Sequence, residues 1–262
     1  MTPGRSLAAI RPGLADLLAG LLAITMVTAA VSARAACRQA LALGLDVSGS
    51  VDAAEYRLQL DGLAAALVAP RVRAAFLALP ETPVRLMIYE WSGETHQRPL
   101  IGWTEVTGPG QLAGIAALLR ATNAADSTDR ATAIGTAMLY GVRALRRQAA
   151  CWRRTLDISG DGPANTGRLP RDIPAAATAG VTINALVIGP RGRANTTKDL
   201  SNVTSLLEYY RDFVLRGPDS FAETARDHAD FERVMRRKLL REMRPAVLSG
   251  RMRAAPPPKP GQ

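Results

Sequence analysis

The sequence predicts an α/β protein: a doubly wound, mostly parallel sheet with helices on both faces and one antiparallel hairpin at its edge. Three observations lead there. Segments of strand and helix character alternate along most of the chain, the pattern of a parallel sheet covered on both sides. Hydrophobic residues make up 47% of the 262 and charged ones 21%, an ordinary globular balance with ample material for a core. Two further strand segments, near 84–91 and 96–103, follow each other so closely that they pair as a hairpin.

The elements read in order as follows. Residues 38–45 form an apolar run that stops at Asp46. A helix starts after Asp52, which has capping-box spacing to Glu55, and Tyr56, Leu60, Leu63 and Leu67 fall on one of its faces. After the hairpin, helices are expected at 110–121 and 132–147, a strand at 153–159, a short helix near 172–179 and a strand at 181–188. A helix near 199–213 and a short strand near 220–225 lead to a last, basic helix. There Phe231, Val234, Met235 and Leu239 make a buried stripe, which turns Arg233, Arg236, Arg237, Lys238 and Arg241 toward water. No internal repeat is present, so residues 36–244 form one domain.

The ends carry different signals. Arg5 and Arg11 precede an uncharged stretch from Leu17 to Val31, and Ala33-Arg34-Ala35 supplies an A-x-A cleavage site. Residues 1–35 therefore read as a cleavable export signal, and the protein as periplasmic or secreted. A retained membrane anchor is the alternative, but the stretch falls short of the roughly 20 apolar residues that a span needs. Residues 245–262, with Pro256 to Pro258 and Pro260, read as a disordered tail.

The formal charge of +10 suggests nucleic acid until it is located. Loss of Arg5, Arg11, Arg34 and Asp16 with the signal leaves +8, and residues 231–262 account for +7 of that. The body is nearly neutral, so no nucleic-acid groove is expected. The basic helix is an ordinary solvated face, or at most a weak contact with anionic membrane or an acidic partner.

Function is expected where strands end, because ligands in such sheets collect outside their carboxyl ends. The first strand runs into Asp46-Val47-Ser48-Gly49-Ser50. The strand at 153–159 runs into Gly160-Asp161-Gly162, and Thr132 opens a helix. In the first word residues 46, 48 and 50 turn toward one point, with Gly49 allowing the tight turn. These are hard oxygen donors, suited to magnesium first and to calcium or manganese also. With only two histidines and two cysteines, a zinc site of the His/Cys type lacks ligands. The bland alternative is that Ser48 and Ser50 cap the following helix and Asp161 caps a turn.

DVSGS, then T-x-I-G-x-A-M, then a strand ending in DG resembles the von Willebrand factor A-like domain. The longer words YEWSG (89–93), ATAIGTAM (131–138) and DISGDG (157–162) are similar to the exported bacterial family called domain of unknown function 1194. The resemblance covers roughly residues 37–244. It implies a Rossmann-like sheet and a metal ion-dependent adhesion site. Ser48, Ser50 and Thr132 would bind the ion directly, with Asp46 and Asp161 holding its water ligands. Gly160 departs from the usual T-D-G word. Neutral hydroxyl ligands leave the ion most of its charge, so the implied partner is a protein offering a carboxylate, and the implied activity is binding rather than catalysis.

The competing reading is a magnesium-dependent, phosphatase-like hydrolase using the strand-end aspartates. Haloacid-dehalogenase-like phosphatases, however, need a second Asp two residues after the nucleophile, and that place is Ser48. No G-x-S-x-G surrounds Ser48 to suggest a serine hydrolase.

In the A-like strand order the strands carrying Asp46 and Asp161 are neighbours. Cys37 lies nine residues before the one and Cys151 ten before the other, so both cysteines fall near the opposite ends of adjacent strands. An exported chain with a single such pair is expected to form the disulfide Cys37–Cys151. Smaller expectations complete the reading. Glu90, Trp91 and Ser92 border the metal face, although Trp91 equally suits the core. Arg191 and Arg193 follow another strand end in an exposed loop. Asp157, inside a buried strand, should be hydrogen-bonded or paired with an arginine. His96 and His228 receive no role.

Overall fold

The computed structural model describes residues 37–123, 129–189 and 197–244. The expected export signal, Arg191 and Arg193, and the Pro-rich tail lie outside the described residues. Six strands are present among the described residues: β1 Cys37–Asp46, β2 Val84–Trp91, β3 Gln97–Val106, β4 Cys151–Gly160, β5 Thr182–Ile188 and β6 Ala222–Ala225. Seven α-helices accompany them among the described residues: α1 Ala53–Val68, α2 Pro70–Phe76, α3 Pro109–Ala121, α4 Ile134–Arg146, α5 Ala175–Thr178, α6 Thr197–Phe213 and α7 Phe231–Glu242.

The sheet order is β3-β2-β1-β4-β5-β6, parallel throughout except for the β2/β3 hairpin at one edge. Alternation along β1 divides the core. Leu41, Leu43 and Leu45 pack with Leu60 and Leu63 of α1, Leu112 of α3 and Val234 and Leu239 of α7. Ala40 and Ala42 face the other layer, with Ile134 and Met138 of α4 and Tyr210 of α6. From β1 the chain winds outward to β2 and β3, then returns to lay β4 against the other side of β1. The carboxyl ends of β1 and β4 therefore flank the switch point, where doubly wound sheets bind ligands.

The same pairing sets the opposite end. β1 and β4 run in register with Cys37 against Cys151, and the two are joined by a disulfide with Cα atoms 4.3 Å apart. The capping box is also present: Asp52 accepts from the Glu55 amide at 2.9 Å, and Glu55 accepts from the Asp52 amide at 3.1 Å.

In its secondary structure and in the placing of one charge, the structure departs from the sequence reading in four places. β3 continues to Val106 rather than ending at 103. Helix α2 follows α1 directly and begins with Pro70, a residue pre-shaped for the first helical position. The short helix near 172–179 divides into a 3₁₀ turn, Pro170–Asp172, and α5, because Ile173 and Pro174 between them adopt extended backbone. The fourth departure is Lys238. The basic run around it predicts a water-facing side chain, but Lys238 is fully buried. Lys238 lies two turns after Phe231 on the same face, so the helix period turns it inward whatever its charge.

Lys238 is drawn in by two carboxylates. Its Nζ lies 3.0 Å from Asp157 Oδ2 of β4 and 3.1 Å from Glu242 Oε1, one turn on. Asp157 is thus paired as expected, but with a lysine and not an arginine. Asn184 of β5 links this group to the rest of the sheet, donating to Glu242 at 2.8 Å and accepting from the Phe221 amide at 2.8 Å.

Candidate metal centre

The five predicted residues lie on three segments that meet at the carboxyl edge. The first is the loop after β1. The Ser48 amide donates to Asp46 Oδ1 at 2.8 Å, so the Asp46 side chain curls over its own turn. Ser48 and Ser50 hydroxyls are 3.3 Å apart, and Ser50 donates to Asp161 Oδ1 at 2.6 Å across the gap to the end of β4. Asp46, Ser48, Ser50 and Asp161 form one hydrogen-bonded set. The helix cap is Asp52, so the two serines have no capping duty in α1.

Thr132 is brought alongside through its backbone. The Gly49 amide donates to the Arg130 carbonyl, and the Arg130 guanidinium donates back to the Gly49 carbonyl, both at 2.7 Å. The Thr132 amide donates to Asn165 Oδ1 at 2.8 Å, while the Asn165 amide donates to the Thr132 carbonyl at 3.0 Å. The Ala133 amide donates to the Ser92 carbonyl at 2.8 Å, fastening the segment to the end of β2. Thr132 itself is buried. Gly49 was expected to serve a tight turn, yet its φ is not positive. The reason for glycine is close approach: a Cβ there would sit 2.9 Å from the Arg130 carbonyl oxygen.

Electrostatics mark the site more sharply than distances do. Asp46 is fully buried, and its Oδ2 has no hydrogen-bond partner among the described residues. Burial, and then the charge of Asp161, push its carboxyl up to about 7, against the opposing pull of the bonds from Ser48 and of the Asp161 backbone amide. Two neighbouring carboxylates, one out of water with an unpaired oxygen, are relieved by a proton on one of them or by a cation between them. The donor chemistry fits a cation: two carboxylates and three hydroxyls, all oxygen. Among the described residues, no three side chains of the His, Cys, Asp or Glu type gather to form a denser ligand cluster.

The glycine that departs from the T-D-G word has a physical account. A Cβ at Gly160 would lie 2.3 Å from the Tyr210 hydroxyl and 3.0 Å from Asp46 Oδ2. Tyr210 of α6 fills the space a side chain would need, and Asp161 still reaches Ser50. Gly160→Ala should therefore cost about 1 to 3 kcal/mol by overpacking. Combination with Tyr210→Phe should recover at least roughly 0.5 kcal/mol in a double-mutant cycle of urea unfolding. Strict additivity would show that the two positions do not compete for space.

Several residues around the site were not legible in the sequence. Arg130 and Asn165 clamp the loops, Tyr210 fills the floor, and Gln59 of α1 donates to the Asp46 carbonyl at 3.0 Å. None sits in a distinctive word, although Gln59 falls on the buried face of α1. Glu90 is fully buried and its oxygens are taken by Tyr56 (2.7 Å), Arg98 (2.8 Å) and His96 (2.9 Å). It locks the end of β2 to α1 and β3 rather than lining the metal face, and it gives His96 a structural role. Trp91 is core, and Ser92 contributes through its backbone. His228 is also buried, with Nδ1 3.4 Å from Glu55.

No curated protein matches the sequence, but solved structures match the fold. The SpaC pilus adhesin of Lactobacillus rhamnosus GG is 13% identical with a TM-score of 0.52, over 79% of this chain and 31% of that one. Proximal thread matrix protein 1 from the mussel byssus, with zinc in its MIDAS motif, is 12% identical with a TM-score of 0.51, over 79% of this chain and 48% of that one. BatB of Bacteroides thetaiotaomicron, a conserved hypothetical protein, is 13% identical with a TM-score of 0.50, over 78% of this chain and 98% of that one. The chain thus spans about half the length of the mussel protein and a third of the adhesin. At such identities the likeness is one of fold, and that fold is von Willebrand factor A-like. A family model for "Protein of unknown function (DUF1194)" matches residues 36–247, and the chain belongs to that family.

Proposed function

We propose that the protein is an exported interaction module that holds a divalent cation at the carboxyl edge and presents it to a carboxylate of a partner protein. The observation that carries this reading is the Asp46 carboxylate, buried beside Asp161 with one oxygen unpaired. Ser48, Ser50 and Thr132 would contact the ion, and Asp46 and Asp161 would hold it through water. When bound, the cation supplies an electrophilic docking point, because neutral hydroxyls leave its charge largely uncancelled. Magnesium suits the oxygen set best, with calcium and manganese as substitutes.

Binding is favoured over hydrolysis because position 48, where an acid/base partner for Asp46 would stand, is a serine tied into the loop. Export is supported by the A-x-A pattern at residues 33–35 and by the disulfide, which belongs to an oxidising compartment. The described residues contain no helix long and apolar enough to cross a membrane.

The test is a pull-down from envelope extract with wild type and Asp46→Ala, each with magnesium and with EDTA. A partner should be retained by wild type in magnesium only. Capture that ignores both EDTA and the substitution would overturn the reading. So would magnesium-dependent phosphatase turnover abolished by Asp46→Ala, which would favour the hydrolase.

A further inference from the structure

At the opposite end of the sheet lies a groove of different chemistry. With a volume of about 360 Å³, it opens where β4 and β5 begin, lined by Trp152, Arg153, Arg154, Val181, Arg216 and Pro218 among others, with no acidic residue in its lining. Trp152 and Arg154 alternate along β4 and so project on one face, continuing past the point where Leu156 and Ile158 enter the core. The tryptophan ring is left 66% exposed at the rim, the most exposed of the large hydrophobic side chains among the described residues.

The three arginines are held differently. Arg216 is fixed by donating to the Leu215 carbonyl at 2.8 Å and the Pro170 carbonyl at 3.0 Å, and burial lowers its pKa. Arg153 alternates to the other face of β4, where it is tethered at 2.9 Å to the carbonyl of Arg244, so its guanidinium is held away from the face of Trp152 and Arg154. Arg154 lies over Gly180, and its buried Nε has no hydrogen-bond partner among the described residues. None of the three has a carboxylate within ion-pair distance among the described residues. Some surface arginines elsewhere have carboxylate partners, among them Arg57 with Asp61, Arg85 with Glu105, Arg233 with Asp230 and Arg237 with Glu223, while others such as Arg71 and Arg147 have none among the described residues. The groove thus gathers uncompensated guanidinium groups next to an exposed indole.

We infer that this groove binds an acidic segment of a partner protein, independently of any metal. An Asp or Glu carboxylate seats between Arg154 and Arg216, and a neighbouring apolar side chain packs on Trp152. Charge complementarity selects the acid, since no group in the lining neutralises the arginines. The rim position of Trp152 selects an extended ligand over a small anion, because only a chain reaches both the ring and the guanidinium groups. Tryptophan and arginine together are also the side chains that concentrate binding energy at protein interfaces. The site lies across the sheet from Asp46, so the fold presents two separate surfaces to acidic partners.

The test uses the purified full chain in EDTA and a fluorescein-labelled peptide of alternating glutamate and phenylalanine, followed by anisotropy. The peptide should bind at least about tenfold more tightly than its glutamine counterpart, because charge-assisted bonds to guanidinium are lost in the latter. Arg154→Gln and Trp152→Ala should each weaken binding by about tenfold, while Asp46→Ala leaves it unchanged. Trp152→Ala, a change at an exposed position, keeps the test valid should Arg154→Gln unfold. Equal affinity for the two peptides, or undiminished binding by Trp152→Ala, would overturn the inference. Displacement of the peptide by phosphatidylglycerol vesicles but not by excess unlabelled peptide would overturn it in favour of a lipid headgroup. Insensitivity to EDTA and to Asp46→Ala separates this site from the metal centre, so either can fail alone.

Discussion

Replacing Lys238 with methionine should lower folding stability by about 3 to 5 kcal/mol, the cost of removing one partner from a buried ion cluster. Lys238 is fully buried between Asp157 and Glu242, which are themselves 2% and 1% exposed. Methionine replaces the stem but not the charge, so two carboxylates remain in the core without their cation. Burial already pushes the Asp157 carboxyl up to about 6 from 3.8, with Lys238 pulling it down and Glu242 raising it further. A carboxyl whose folded value lies above its unfolded one weakens the fold as pH rises through that window. Losing Lys238 lifts the value further, so the variant's deficit should be larger at pH 8 than at pH 5. Urea unfolding at the two pH values measures this. A deficit under about 1 kcal/mol at pH 8, or one that grows on acidification, would show that the cluster does not hold the sheet to α7.

Reduction of Cys37–Cys151 should cost about 2 to 5 kcal/mol. The bond closes a separation of 114 residues and joins the amino ends of the two central strands. A crosslink of that span removes much of the freedom of the unfolded chain, although the entropic account is model-dependent. The urea midpoint with and without dithiothreitol reads the effect. Two freely alkylatable thiols in the isolated protein, or coincident midpoints, would contradict it.

Most of the architecture was legible because it rests on local rules. The apolar run to Asp46, the Asp52/Glu55 cap and the stripe of α7 each announce their element from a few residues. The burial of Lys238 is hidden in the sequence because its charge and the helix period point in opposite directions. Its position two turns after Phe231 held the answer, but the carboxylates awaiting it come from β4 and from the helix end. Helix α2 escaped because seven residues offer too little periodicity to read. In the site, Asp46, Ser48, Ser50 and Asp161 stood out through strand-end words. Arg130, Asn165 and Tyr210 did not, since backbone clamps and a hydroxyl filling a glycine's space depend on tertiary approach. The arginine groove was equally invisible: Trp152, Arg154 and Arg216 meet only once β4 and β5 are side by side.

On the proposed function, the Asp46 carboxylate is buried for a cation. Removing it should relieve a desolvated charge, so Asp46→Ala without metal should melt no lower than wild type. Thermal melting of both proteins with increasing magnesium separates a cation site from a carboxyl that is simply protonated. An ion bound only by the native state at about a hundredfold over its Kd adds roughly 2.7 kcal/mol. For a domain of this size that corresponds to a rise of about 5 to 10 °C. Wild type should show that rise and Asp46→Ala should show none. An equal rise in both proteins would contradict the claim, as would a wild-type melting temperature that ignores magnesium, calcium and manganese alike.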